Sequence, residues 1–311
     1  MRTLFGMALS FAALAMTPAK AWNNFGHMEA AAVAWSQLTP AAKEEAARLL
    51  KLNPQYEDWV QGVAASQHDQ VAFVKAATWP DQIKSLPGYT SDGTQNGNVA
   101  PDTPEAAQNI GYVDHFRHKY WHFIDLPFST DGTALKQPQR PNAQTQIALF
   151  KAALADKTAS DDLRSYDLAW FLHVAGDLHQ PLHAAARFTR AGTDGDAGGN
   201  GVKIKCTKCG SARELHAFWD GLLGPTGAPP SDAIAAGAAL KKVDAGSTDE
   251  RDWIQESFVI AKQSVYAPPI RSGNGPYKLT AAYQSRAHRI ANQRIALAGA
   301  RIAAILNKAF K

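Results

Sequence analysis

Between Ser160 and His183 the chain reads SDDLRSYDLAWFLHVAGDLHQPLH, and this stretch constrains the fold more than any other. Ser160 is a good helix N-cap, and Asp161 and Asp162 suit a first turn. The run through SYDLAWFLHVAGDLHQ carries no proline, so it predicts one long helix. On that helix His173 and Asp177 are four apart and share a face about one turn apart. Pro181 then disturbs the backbone and pushes Gln180 towards an extended conformation. An unbroken helix would turn His183 well away from that face, so the break aims it at a different target nearby.

Helical signals dominate elsewhere too. Glu29 to Leu52 reads as a helix pair broken at Thr39-Pro40, a cap followed by a good first residue. Asn142 to Ala155 repeats apolar residues at helical spacing (Ile147, Phe150, Leu154). Two further helices are expected around DWIQESFVIAKQSVY and from Thr280 towards the C-terminus. Strand signals are weak; KYWHFI is the best of them, read as a strand or only a short extended piece. Three loops interrupt, namely SLPGYTSDGTQNGNVAPDTP, the glycine-rich stretch from Arg190 to Gly210, and GPTGAPPSD. No internal repeat and no change of pattern divides the chain. The expectation is one all-α domain over residues 22–311, mainly helical with long loops.

Residues 1–21 read as a secretory signal peptide: a basic Met1-Arg2 start, the apolar run LFGMALSFAALAM, and a small-x-small cleavage site at Ala19-Lys20-Ala21. Cleavage after Ala21 leaves Trp22 first and places the protein in the periplasm or outside the cell. The segment carries Arg2, Lys20 and no acid, so the formal charge falls from +4 to +2. A balance so near neutral is not the footprint of a general nucleic-acid binder, which would show basic stripes; if the chain binds phosphates, a few local charges or metals must do it. Two cysteines in a chain this long make no disulfide framework. Cys206-Thr207-Lys208-Cys209 has no second pair for a zinc ribbon and no βαβ setting for a redox motif, so a small loop disulfide is expected.

ELHAFWD repeats the four-residue device with His216 and Asp220. Imidazole plus carboxylate suits Zn²⁺ with positions left open for water or substrate. One such pair is a common accident on a solvated face; two pairs with His183 beside them point to a metal site.

In order along the chain stand AW-x₃-GH, TWPDQI, HFID, LH-x₂-GD-x-HQPLH, D-x-GGN and LH-x₂-WD. Together they resemble the S1/P1 nucleases, secreted zinc-dependent enzymes related in fold to the zinc phospholipases C. The resemblance implies three zinc ions. Asp81, His122, His173 and Asp177 would hold the first, with Asp81 and Asp177 as the catalytic carboxylates. His183, His216 and Asp220 would hold the second. Trp22, through its amino group and carbonyl oxygen, would hold the third with His27 and Asp177, which bridges two ions. The implied chemistry is phosphodiester hydrolysis by water activated at the bridged pair. The implied substrates are single-stranded RNA and DNA, cut to 5′-phosphorylated products, and the 3′-phosphates of mononucleotides. Unpaired bases can stack on aromatic rings, so single-strand preference needs no basic stripe. No membrane and no protein partner is implied.

The remaining residues are read more plainly. His115 and His118 compete with His122 for one ligand place; HFID favours His122 and leaves the other two at the surface or supporting it. His179 points away from Asp177, to a supporting hydrogen bond. His68 and His288 are structural or exposed, and Trp121, Phe171 and Trp219 are packing residues. Asn200 in the glycine-rich piece is a substrate contact or a turn cap. Two other functions fit a zinc site: a phospholipase C acting on phosphatidylcholine, and a non-enzymatic periplasmic zinc-binding protein. Aspartate rather than glutamate at Asp220 favours the nuclease over the lipase.

Overall fold

The computed structural model describes residues 22–92, 100–101, 103–206, 209 and 212–311. The expected signal peptide, and with it the cleavage site, lies outside them, as does the middle of the SLPGYTSDGTQNGNVAPDTP loop. The helices are α1 (Asn24–Trp35), α2 (Pro40–Leu50), α3 (Tyr56–Val60), α4 (His68–Ala76) and α5 (Trp79–Gln82). There follow α6 (Ala143–Ala155), α7 (Asp161–Asp177), α8 (Leu215–Asp220), α9 (Pro230–Ala239), α10 (Glu250–Ile260) and α11 (Ala281–Ala309). Two parallel ribbons complete the fold. β1 (Leu126–Ser129) pairs with β2 (Ala185–Phe188) in the register Leu126 to Ala185, and β3 (Ile204–Lys205) pairs with β4 (Tyr277–Lys278). The fold is a single, mainly helical domain.

The caps explain the boundaries. Thr39 accepts from the Ala42 amide, Ser160 from Leu163 and Thr280 from Tyr283. Asn142 and Thr145 form a reciprocal capping box at α6. Each satisfies an amide that the first turn of a helix leaves without an internal partner. Helix α7 is buried on all sides from Arg164 to Asp177. Trp170 on it is fully buried and meets the rings of Trp79, Trp121 and Phe150. Truncation of such a residue to alanine costs about 3–5 kcal/mol. Helix α1, rich in alanine, is buried all round and runs against α4, α7, α9 and α11. At Gly299 of α11 a Cβ would stand 2.5 Å from Val33, so those two helices approach at backbone distance.

Two expectations are corrected. KYWHFI is not a strand: Lys119–His122 forms a 3₁₀ turn and the strand starts at Leu126. His118 enters that turn with a left-handed φ of 42°, and Tyr120, Trp121 and His122 are all buried, so the segment has no alternating faces. GPTGAPPSD is only partly a loop, because Pro230-Ser231-Asp232 forms the first turn of α9, with proline in its tolerated position.

Two apolar clusters flank the candidate site. One is built around Trp79, Phe150 and Trp170, the other around Trp22, Leu182, Trp219 and Tyr283.

Candidate metal centre

Helix α7 ends at Asp177, and its last turn carries His173 on the same face. His173 Nδ1 donates to the Ala77 carbonyl (2.7 Å), which turns Nε2 towards Asp177 Oδ2 (3.3 Å) and Asp81 Oδ1 (3.8 Å). His122 Nδ1 lies 3.1 Å from the same Asp177 oxygen and 2.9 Å from His173 Nε2. His27, on the first turn of α1, reaches the other Asp177 oxygen at 3.3 Å. Its ring stacks on that of His173 at 3.8 Å. Gly176 permits this, since a Cβ there would stand 2.9 Å from His27 Nδ1.

Past Asp177 the helix gives way to a 3₁₀ turn, Pro181–His183. His183 Nδ1 donates to the His122 carbonyl (2.7 Å), and His216 Nδ1 donates to the Gly198 carbonyl (2.7 Å). His216 Nε2 faces Asp220 Oδ2 at 3.4 Å, one turn on along α8. His173, His183 and His216 thus each tie Nδ1–H to a backbone carbonyl and present Nε2, the arrangement typical of imidazoles that ligate metal. Gly198 has φ +61°, and a Cβ on it would collide with the Leu182 carbonyl at 2.4 Å, so the D-x-GGN glycine is there for close approach.

Among the described residues, three groups bring ligand atoms within 4.8 Å of one another: His27, Asp81 and His173; His122, His173 and Asp177; His183, His216 and Asp220. Eight of the nine expected ligands are therefore brought together. His27 is grouped with Asp81 and His173 as well as touching Asp177, so the first and third expected sites form one continuous cluster. Trp22, the ninth, is fully buried, and the next amide, Asn23 N–H, donates to the Asp220 carbonyl at 3.1 Å. Asn200 directs its side-chain N–H to the Ala197 carbonyl (2.7 Å), the turn-capping alternative.

The residues fit a metal. Neither nitrogen of His27 has a hydrogen-bond partner, nor have His122 Nε2, His183 Nε2, Asp81 Oδ2 and Asp177 Oδ1, and all are buried. Buried polar atoms are normally paired, so such a concentration suits the coordination of a cation. Two ligand atoms of a tetrahedral zinc stand about 3.4 Å apart, and the separations just described bracket that value. Burial sets the protonation of these groups in the absence of a cation. Burial lowers His27 and His173 to about 4 and pushes His122 and His183 well down, which keeps the imidazoles neutral. Burial raises Asp177 to about 8 and lifts Asp220 well above the usual carboxylate range. Burial also pulls Asp81 upward, but Lys84, joined by His173 and His27 once acid protonates them, overcomes it and holds that carboxyl below its ordinary value.

Two residues at the site escaped the sequence reading. Lys84, in the turn just past α5, pairs with Asp81 at 2.6 Å and keeps 15 % side-chain exposure. Gln180 donates to Asp220 Oδ1 (2.7 Å) and accepts the Leu182 amide (2.6 Å), linking the 3₁₀ turn to α8. The acid–base spacing Asp81-x₂-Lys84 was the available signal for the first.

The other histidines separate cleanly. His115 and His288 are exposed. His118 is not at the surface: it is fully buried, 2.7 Å from Asp114 and 3.4 Å from Asp92, and stacked on Trp121. His179 donates to its own helix at Ala175 and faces Arg301 at 2.9 Å, away from the ligands. Trp121, Phe171 and Trp219 are fully buried packing residues, and Cys206 and Cys209 form a disulfide.

Residues 22–311 match the S1/P1 Nuclease family over their whole length, and the chain belongs to that family. It is similar to nuclease P1 of Penicillium citrinum, 24 % identical over 203 residues that cover 64 % of this chain and 57 % of the relative. Endonuclease 3 of Arabidopsis thaliana is 25 % identical over 202 residues, 65 % of this chain and 54 % of the relative. The matched segments thus span little more than half the length of these relatives.

Proposed function

We propose that the protein is a zinc-dependent endonuclease working outside the cytoplasm. It would hydrolyse phosphodiester bonds of single-stranded RNA and DNA to 5′-phosphorylated products, and remove 3′-phosphates from mononucleotides. The observation that carries this reading is the position of Asp177 between His27 on one oxygen and His122 with His173 on the other. In a member of the S1/P1 family, a carboxylate so placed suits a bridge between two ions.

Asp81, His122, His173 and Asp177 would hold one zinc, and His183, His216 and Asp220 a second. His27, Asp177 and the amino group and carbonyl of Trp22 would hold a third. When bound, zinc supplies Lewis acidity towards phosphate oxygens and makes hydroxide available near neutral pH. The chain's own residues do the rest. Neutral imidazoles present lone pairs rather than protons, and the Nδ1–H anchors at Ala77, His122 and Gly198 hold three of them in place. Lys84 offers a cation beside the cluster with part of its surface in solvent, suited to a phosphate oxygen that gains charge as the bond breaks. The low dielectric of the buried site strengthens each of these interactions.

Location outside the cytoplasm follows from the signal-peptide reading of residues 1–21, and among the described residues no helix is long and apolar enough to cross a membrane. The deciding experiment assays protein beginning at Trp22 on single-stranded DNA and RNA, with and without chelator, and with phosphatidylcholine alongside. Chelator-sensitive release of 5′-phosphorylated products is the expected result. Lipid cleavage without nucleic-acid cleavage would replace the nuclease by a phospholipase.

A further inference from the structure

The net charge of +4 conceals a segregation. Glu256 is the last acidic residue of the chain, and nine lysines and arginines follow it. Arg294 and Arg301 are buried against Glu256, and Lys308 and Lys311 lie at the far end of α11. The other five belong together. Lys262 sits on the turn after α10, Arg271 and Lys278 on the segment that forms β4, and Arg286 and Arg289 near the start of α11. All but Arg286 are exposed.

Specific contacts assemble them. Arg286 lies over the ring of Tyr283 and reaches the Ser264 carbonyl at 3.4 Å, which brings it beside the turn of Lys262. The Arg271 and Gly273 carbonyls are both held by the buried Arg187 guanidinium. β4 pairs with β3, where Lys205 stands directly opposite Lys278, and both are exposed. Like charges facing each other across a ribbon destabilise it, and among the described residues no carboxylate pairs with either. The nearby acids are committed: Glu214 to Lys203 at 2.7 Å, and buried Asp196 to Tyr266 at 2.8 Å. The surface also adjoins the cluster of His183, His216 and Asp220. Lys203 bridges to Glu214, and the Leu215 amide donates to the Val202 carbonyl just before α8 begins.

We propose that this cationic face, built on Lys205, Lys262, Arg271, Lys278 and Arg286, holds the phosphate backbone of a single-stranded nucleic acid whose scissile bond lies at the metal centre. The choice of partner rests on the nuclease reading. A face of ammonium and guanidinium groups, exposed except for the half-buried Arg286 and without interspersed acid among the described residues, suits a flexible polyanion, and binding there is salt-dependent through release of condensed counterions. Polymers then gain affinity over short substrates that reach only the metal centre.

The test compares metal-loaded wild type with the triple variant Lys205→Glu, Lys278→Glu, Arg271→Glu, using a long oligodeoxythymidylate and a dithymidine dinucleotide as substrates. For the polymer, KM should rise about tenfold or more at low salt, with a shallower slope of log KM against log salt, since each lost phosphate contact removes about 0.7 from that slope. The effect should be absent with the dinucleotide. A milder Lys205→Gln, Lys278→Gln variant should shift the polymer KM in the same direction, and circular dichroism checks that each variant folds. Unchanged polymer KM and salt slope in both variants overturn the proposal. Should wild type cleave neither substrate, the nuclease reading fails, and the surface is judged by binding of a phosphorothioate oligonucleotide. Salt-sensitive binding lost in the triple variant keeps the surface, and equal binding removes it. Sedimentation with phosphatidylglycerol vesicles that the variant abolishes, with oligonucleotide binding untouched, would assign the face to a lipid surface instead.

Discussion

Asp177 Oδ1 stands 3.3 Å from His27 Nε2, with both side chains sealed from solvent. The last residue of α7 thereby meets the first turn of α1, and its second oxygen turns the other way, to His122 and His173. An amide in place of that carboxyl would remove one side of the proposed bridge and leave a neutral group where a carboxylate would bind cations. Asp177→Asn should lose metal from both sides and lower turnover at least about 10³-fold, beyond the loss of a single stabilising donor. Metal analysis and the nuclease assay read both effects, and near-normal activity would refute the bridge.

Gly198→Ala tests the support of His216. A methyl group there meets the Leu182 carbonyl at 2.4 Å, and the residue sits at φ +61°. The carbonyl that accepts from His216 must therefore move. Changes to such supporting contacts cost about 10–100-fold in metal affinity. Titration with a competing chelator should show one weakened zinc and two normal ones.

Adding one residue ahead of Trp22 converts its amino group into an amide. Two zincs per chain, rather than three, are expected from that protein. Three would show that the amine is not a ligand.

Glu256 tests stability rather than chemistry. Burial alone would raise its carboxyl, but Arg301 and Arg294 overcome that and hold it at about 2, below its ordinary 4.5. A depressed folded-state value stabilises the fold above pH 4.5 and loses that contribution as pH falls towards 2. The side chain is 38 % exposed, so the contribution is discounted to at most about 2 kcal/mol. Glu256→Gln should lower the thermal midpoint near neutrality, with the gap to wild type closing in acid. A gap independent of pH would contradict the assignment.

Lys84→Met removes the ammonium beside Asp81 without removing a proposed ligand. Metal content should stay the same while kcat falls about 10²-fold, the usual size for one preorganised charge acting on a transition state. Loss of zinc in this variant would instead make Lys84 a structural support of Asp81.

Much of this was legible from residue order. The caps at Thr39, Asn142, Ser160 and Thr280 announced helices through local chemistry that tertiary contacts did not override. The pairs His173–Asp177 and His216–Asp220 followed from helical period alone. The rest depended on long-range contacts. KYWHFI looked like a strand because aromatic residues favour strands, yet its burial is continuous around a tight turn. His118 resembled a surface neighbour of His122, whereas Asp114 and Asp92 draw it inside. The cationic face was present in the sequence from the start, but summing over the whole chain cancelled it against acids that all lie at or before Glu256.

Every proposed ligand lies between Trp22 and Asp220, while the chain from Ala261 onward contributes packing and charge. On the proposed reading, four of the five cations of the polymer-binding face lie beyond the last ligand, and only Lys205 falls within the ligand-bearing stretch. Drift in the C-terminal part would then retune which polymers are captured, and at what ionic strength, with every ligand left in place.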